Sequence, residues 1–391
     1  MHKIKLFFKV FRIFAKNSTF MAENKRLLSL DILRGFDLFM LVGLQPILRQ
    51  FLITLDSSAL NSTLLYQLDH VQWKGFTAWD LVMPLFLFMS GVTMPFSLPK
   101  YLRQHSNIAL WKRVLKRVLL LWLFGMIVQG NILSLNPNAV YLYSNTLQAI
   151  AIGYLLTVPL VVYLKPRMQI MAIILLLIIY TIPMVLFGDW SQHGNFAAEV
   201  DNLVLGRFRD QSFLATDGTW QVAQWYDYTW VWSSITFCCT VALGSIAGEI
   251  IKRGNNNRNK TAVTLLLIGI SFIILGSIWG MWHPIIKRIW SGSMTIYSAG
   301  WCFALLAIFY WWIDVKGHKK GLQWLQFYGC NAITAYMLGE VINFRSIVSS
   351  LCHGAEQYIG DWYPLLLTTG NSVILFCIMA VLFKQKIFLK V

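Results

Sequence analysis

The stretch "LDHVQWKGFTAWDLVMPLFLFMSG", residues 68–91, begins as a polar, aromatic loop and ends as an apolar run. No charged side chain follows Asp80 until Lys100. An uncharged apolar run of about 20 residues is long enough to cross a bilayer as a helix. Helix is the form required there, because lipid cannot satisfy exposed backbone groups. Residues 78–98 are therefore read as a membrane span, with Asp80 at its mouth and His70 in the loop that leads into it.

Working outward, nine more segments have the same character, near 31–54, 113–130, 146–164, 168–187, 231–251, 261–281, 294–313, 323–342 and 364–383. Composition agrees. Of the 391 residues 57% are hydrophobic and only 13% charged, too little charge for the surface of a soluble domain. The 17 tryptophans suit rings placed at headgroup level. The fold expected is all-α, a polytopic transmembrane helical bundle of about ten spans.

The net charge of +16 is distributed in a way that argues against nucleic acid. Basic clusters occur at Lys3 to Arg26, Lys100 to Arg117, Lys165 to Arg167, Lys252 to Lys260, Lys316 to Lys320 and Lys384 to Lys390. With ten spans all six fall on one side, which the positive-inside rule makes cytoplasmic, with both termini inside. The lipid bilayer is the partner this pattern implies. Residues 1–25 are basic with scattered aromatics and no small-residue cleavage site. They are read as a membrane-surface helix or as sequence ahead of a start at Met21, with 26–391 as the transmembrane domain. The six cysteines lack metal-ligand spacing, and no metal is expected.

The side opposite the basic clusters carries one long connection, 188–230. Asp189, Glu199, Asp201, Asp210, Asp217 and Asp227 are interleaved there with Trp190, Trp220, Trp225, Tyr226 and Trp230. Aromatic faces beside carboxylates suit a sugar. An interfacial aromatic belt with solvated acids explains most of these residues more simply, and that is the reading adopted.

Ionisable and polar groups near the spans are the remaining candidates, because lipid makes them costly. Asp31 and Arg34 lie three apart on one helical face, and on spacing alone a local ion pair explains them better than an arginine offered to an anion. His70 stands beside Asp69, with Trp73 and Gly75 after it. An imidazole near neutrality can take a proton, and a carboxylate such as Asp80 can fix its tautomer. Asp80 alone is equally explained by its place at a helix N-terminus. Gln148 flanks the fourth span, Asn331 sits midway through the ninth, and Glu340 lies near its end.

These motifs resemble those of the heparan-α-glucosaminide N-acetyltransferase family of transmembrane acyltransferases. The resemblance is carried by S-x-D-x-x-R-G at 29–35, H-x-x-W-x-G at 70–75 and D-L-x-x-P-x-F-x-F-x-x-G at 80–91. Weaker matches are "NTLQAIAIGYLL" (145–156), "YDYTWVWSSITFCCTVALGSIAGEII" (226–251), "WWIDVKG" (311–317) and "YGCNAITAYMLGEVI" (328–342). The resemblance implies transfer of an acetyl group from cytoplasmic acetyl-CoA to the amine of a glucosamine-type sugar or glycan beyond the membrane. His70 corresponds to the essential histidine, as general base or acetyl carrier, and Asp80 to the aspartate that supports it. Asn331 becomes a candidate oxyanion donor. Asp31, Arg34, Lys112 and Arg113 are placed on the donor's side, and Trp73, Gln148 and Glu340 on the acceptor's. A bacterial inner membrane and a homodimer come with the resemblance as expectations. The chain departs from the family pattern at Ala149 and Leu338. An O-acetyltransferase of envelope glycans and a sugar transporter without chemistry stay as alternatives. The histidine motif has a purpose in acyl transfer and none specific to transport.

Overall fold

The computed structural model describes residues 27–57 and 60–389, so the basic segment expected at 1–25 lies outside the described residues. In chain order the helices are α1 (Leu28–Leu55), α2 (Ala78–Leu102), α3 (Asn107–Val128), α4 (Thr146–Tyr163), α5 (Pro166–Leu186) and α6 (Phe196–Leu205). They continue as α7 (Ser234–Arg253), α8 (Arg258–Trp279), α9 (Gly292–Phe309), α10 (Leu325–Cys330), α11 (Ala332–Val341), α12 (Arg345–Leu351) and α13 (Tyr363–Lys384). Strands β1 (Ser212–Leu214) and β2 (Trp220–Val222) pair antiparallel between α6 and α7, with Phe213 opposite Gln221. The protein is an all-α multi-pass membrane bundle.

Every segment expected to be apolar helix is helical, and eight long helices are apolar enough to cross a bilayer by length and composition. The two that are not show why. Lys112, Arg113, Lys116 and Arg117 lie in the first half of α3. The ninth segment is broken at Asn331 (φ −124°, ψ 37°) into α10 and α11.

The chain divides into two compact units. One, the central unit, is Asp69–Ile308; the other, the terminal unit, combines residues up to Leu68 with those from Phe309 onward. In the central unit α7 packs against α2, α4 and α5. Of its apolar window 78% is buried, against 28% for α5 and α8. Ile174, Leu175, Ile178 and Ile182 of α5 are exposed instead, as lipid-facing residues should be. Lipid gives helices no hydrophobic reason to associate, so close backbone approach through small residues holds them together. The α2–α7 crossing is built that way. A Cβ on Gly91 would lie 1.9 Å from the Val241 carbonyl oxygen, and one on Gly244 would lie 2.0 Å from that of Phe88. Gly244→Leu is accordingly expected to cost about 3 kcal/mol or more through overpacking. Thermal loss of the monodisperse peak in detergent measures this; a variant that melts with the parent would refute the crossing.

The terminal unit uses the same device. A Cβ on Gly35 would lie 1.9 Å from the Leu325 carbonyl oxygen, and one on Gly329 would lie 1.9 Å from that of Asp31. The glycine that closes S-x-D-x-x-R-G is thus a helix-crossing residue. The start of α1 has no side-chain cap of its own. Asp314, from the "WWIDVKG" segment, supplies one by accepting from Leu28 N (3.2 Å) and Ser29 N (3.1 Å). A carboxylate there satisfies orphan N–H groups and complements the helix dipole.

The connection 188–230 corrects the belt reading. It folds into a small lobe of α6 and the hairpin, and three of its six acids are buried: Asp201, Asp210 and Asp227. Asp201 accepts from Trp230 N (2.8 Å) and Val231 N (2.9 Å), tying the lobe to the entry of α7. Burial pushes its carboxyl up to about 6. Asp189, Glu199 and Asp217 are solvated as expected.

Candidate active site

The loop 69–77 and the first turn of α2 are joined by one carboxylate with two separate tasks. Thr77 is the N-cap of α2 and Asp80 its third residue, forming a reciprocal capping box. Asp80 Oδ2 accepts from Thr77 N (3.0 Å) and, at longer range, Val71 N (3.4 Å). The Thr77 hydroxyl is within reach of both that oxygen (3.0 Å) and the Asp69 carbonyl (2.8 Å). Asp80 Oδ1 faces the other way and lies 2.8 Å from His70 Nδ1. One oxygen of Asp80 thus caps the helix and the other meets the histidine.

The rest of H-x-x-W-x-G positions the histidine. Trp73 Nε1 donates to the Trp190 carbonyl (2.7 Å), and the indole packs on a core of Tyr180, Met184, Ile286 and Ile289. Gly75, at φ +124°, donates its N–H to the Ile285 carbonyl (2.9 Å). That backbone conformation is open to glycine at little cost. The bond docks the loop onto residues 283–291, "HPIIKRIWS".

This second segment is fastened at several points. Tyr180 OH and Ser233 Oγ both donate to the Ile289 carbonyl (2.6 and 2.9 Å), and the Arg288 carbonyl accepts from Thr229 N (3.0 Å). Trp290 is held in the left-handed region (φ +50°), with its Nε1 on Thr240 Oγ1 (3.1 Å). The fixed backbone delivers Lys287 to the site. Lys287 Nζ lies 3.3 Å from Asp80 Oδ1, 2.9 Å from His70 Nδ1 and 3.4 Å from His70 Nε2. Its neighbour Arg288 pairs with Asp227.

The three groups set one another's charge. Asp80 is wholly buried and Lys287 only 5% exposed, whereas the His70 side chain is 38% exposed. Burial holds His70 below its ordinary value, and the Lys287 ammonium lowers it further against the pull of Asp80. Burial pushes Lys287 down to about 8, with Asp80 opposing. His70 is thus a neutral imidazole at pH 7. A proton on Nδ1, donated to Asp80, leaves the Nε2 lone pair as the basic position.

Removing the ammonium tests this balance. In Lys287→Met the imidazolium is opposed by burial but favoured by an unneutralised Asp80, so the His70 pKa rises. The acid limb of kcat/KM should move up by about one pH unit, the scale of one adjacent charge. A profile that stays in place would show that Lys287 does not act on His70.

The other expected site residues fall as follows. Gln148 is buried beside Gly125, and it accepts from Ser144 N (2.8 Å) and donates to the Leu142 carbonyl (2.7 Å), so it braces its own loop. Lys112 and Arg113 are exposed on α3, with Arg113 over the Tyr101 ring at 4.7 Å. One turn on, Arg117 lies over Tyr154 at 4.2 Å with a buried Nε that has no hydrogen-bond partner. In the terminal unit, Arg34 and Asp31 are a loose pair at 4.0 Å. Asn331 is buried; its amide donates to the Ile387 carbonyl (3.0 Å) and its oxygen accepts from Leu389 N (3.2 Å). Glu340 is exposed near the end of α11.

Sequence reasoning missed Lys287 and Arg288. The signal was present: a Lys-Arg pair in a loop that the charge rule puts on the acidic side. Each of the two is neutralised by a buried carboxylate, which is why the exception is tolerated.

A partly exposed imidazole bonded to a buried carboxylate, with a buried ammonium beside both, thus stands at the mouth of a span in a multi-pass membrane protein. The family model described as heparan-alpha-glucosaminide N-acetyltransferase, catalytic, matches residues 26–264, and the chain belongs to that family. It is an acetyltransferase of the integral membrane type. The matched residues include His70 and Asp80 and end before Lys287. No curated protein matches the chain.

Proposed function

We propose that the protein moves the acetyl group of cytoplasmic acetyl-CoA to the amine of a glucosamine-type sugar, free or ending a glycan, on the opposite side of the membrane. The observation that carries this reading is the 2.8 Å contact between His70 Nδ1 and the buried Asp80, which suits a proton on Nδ1 and a base at Nε2 of a partly exposed ring. The amine attacks the thioester carbonyl as Nε2 takes its proton. The C–S bond then breaks, and the imidazolium returns the proton to the departing thiolate as free CoA. Proximity and one proton transfer suffice, so no acetyl-histidine is required.

Sidedness rests on the basic clusters, which put both termini of a ten-span chain in the cytoplasm. Arg34 with Asp31, and the row Lys112, Arg113, Lys116 and Arg117, then face the compartment that holds CoA phosphates. The unpartnered Nε of Arg117 supports an anion at that row. Asn331 has one amide hydrogen beyond its bond to Ile387 and keeps the oxyanion role on the family pattern alone. Glu340 and the homodimer rest on the same pattern, as does a bacterial inner membrane.

The deciding experiment incubates the detergent-solubilised protein with labelled acetyl-CoA and a panel of amino sugars, neutral sugars and short glycans. Mass spectrometry of products should show label on amines with equivalent CoA release. Label only on hydroxyls would make it an O-acetyltransferase. Sugar counterflow in vesicles without CoA release would make it a transporter.

A further inference from the structure

The lobe 188–230 contains a cleft of about 810 Å³ that the reaction described above does not use. Its lining includes Asn202, Arg209, Ser212, Trp220, Gln192 and Tyr226. Arg209 and Ser212 are each only 4% exposed. Arg209 donates through Nη1 to Asn202, yet its Nε has no partner, and neither has the Ser212 hydroxyl. Buried polar groups without partners are costly, and two residues of this lining carry one each. The volume is that of a small-molecule site.

The lining also states the ligand's chemistry. Carboxamides and a hydroxyl both donate and accept, as the hydroxyls of a sugar do, and the half-buried Trp220 indole offers a face to ring C–H groups. Two guanidinium groups, Arg207 and Arg209, border the cleft and no carboxylate lines it. A protonated amino sugar is repelled there; a neutral or acidic one is not.

The cleft is connected to the reacting groups. The Gln192 amide donates to Asp227 Oδ2 (3.2 Å), Asp227 pairs with Arg288, and Arg288 adjoins Lys287 beside His70. Trp73 of the histidine motif is bonded to Trp190, two residues before Gln192.

We propose that this cleft is a second saccharide subsite, which holds a non-basic sugar residue of the acceptor while the amine-bearing residue lies at His70. The proposal rests on the acetyl-transfer reading for its link to catalysis, but binding in the cleft is measurable without it. The test compares free glucosamine with a disaccharide in which glucosamine is joined to a neutral hexose, using the full-length protein in detergent. The disaccharide should have a kcat/KM about tenfold higher, the scale of one hydrogen bond to a charged group. Trp220→Leu and Ser212→Ala should each bring the disaccharide-to-glucosamine ratio toward one. Ser212→Ala changes a single unpartnered atom, so loss of folding is not an escape. Saturation-transfer NMR with the neutral disaccharide alone gives the independent arm. Acetylation of both acceptors at equal efficiency, with no NMR signal, overturns the subsite and leaves the transfer reading standing. Saturable binding weakened by Ser212→Ala, without acetylation of any acceptor, upholds the subsite and overturns the transfer reading. A ratio that both variants leave unchanged overturns the subsite.

Discussion

His70→Ala should lose acetyl transfer by about 10²–10⁴-fold while the protein remains folded and monodisperse, which is the usual contribution of a positioned general base. The loss belongs to kcat more than to KM, because the imidazole acts on a proton in flight rather than on bound substrate. Folding should tolerate the change. The ring is partly exposed, and Asp80 keeps Lys287 and its capping bonds to Thr77 when the imidazole is gone. Raising the pH should recover part of the rate, since a deprotonated amine needs no base. A variant that transfers acetyl at nearly the parental rate would remove His70 from the chemistry. Accumulation of acetyl-His70 from labelled acetyl-CoA alone would instead replace the direct route with a two-step one.

Asp80→Asn should be almost as damaging, by about 10²–10⁴-fold in kcat, for a different reason. The asparagine oxygen can still accept from Thr77 N, as Asp80 Oδ2 does now. That choice turns the NH₂ group toward His70 Nδ1 and the Lys287 ammonium, donor against donors. The imidazole then carries its proton on Nε2, and the base is lost without loss of the ring. The substitution also leaves a buried ammonium without its carboxylate, at a cost of about 3–5 kcal/mol unless Lys287 deprotonates. Reduced kcat together with a reduced Tm is the expected pair of results. A normal kcat would show that Asp80 only caps α2.

The site was half legible because half of it is local. His70 and Asp80 lie ten residues apart in one loop and one helical turn, so a motif could carry both. Lys287 is 217 residues from His70, and nothing in its own neighbourhood announces a carboxylate partner. The apolar helices were legible for the usual reason: apolar length is a property of a single segment. The lobe was misread because interleaved aromatics and acids look alike in a belt and in a packed fold. Only tertiary contacts distinguish Asp201, bonded to Trp230 and Val231, from solvated Asp217. Gly35 was legible as part of a motif but not as a packing residue, since its neighbour Leu325 is remote in sequence.

The same separation has a consequence during biosynthesis. His70 and Asp80 leave the ribosome long before residues 283–291 can dock through Ile285 and bring Lys287 to them. Until then Asp80 has no ammonium beside it, and a lone carboxylate favours the charged form of a neighbouring imidazole. The order of synthesis thus makes the docking of residues 283–291 the step that completes the His70, Asp80 and Lys287 cluster.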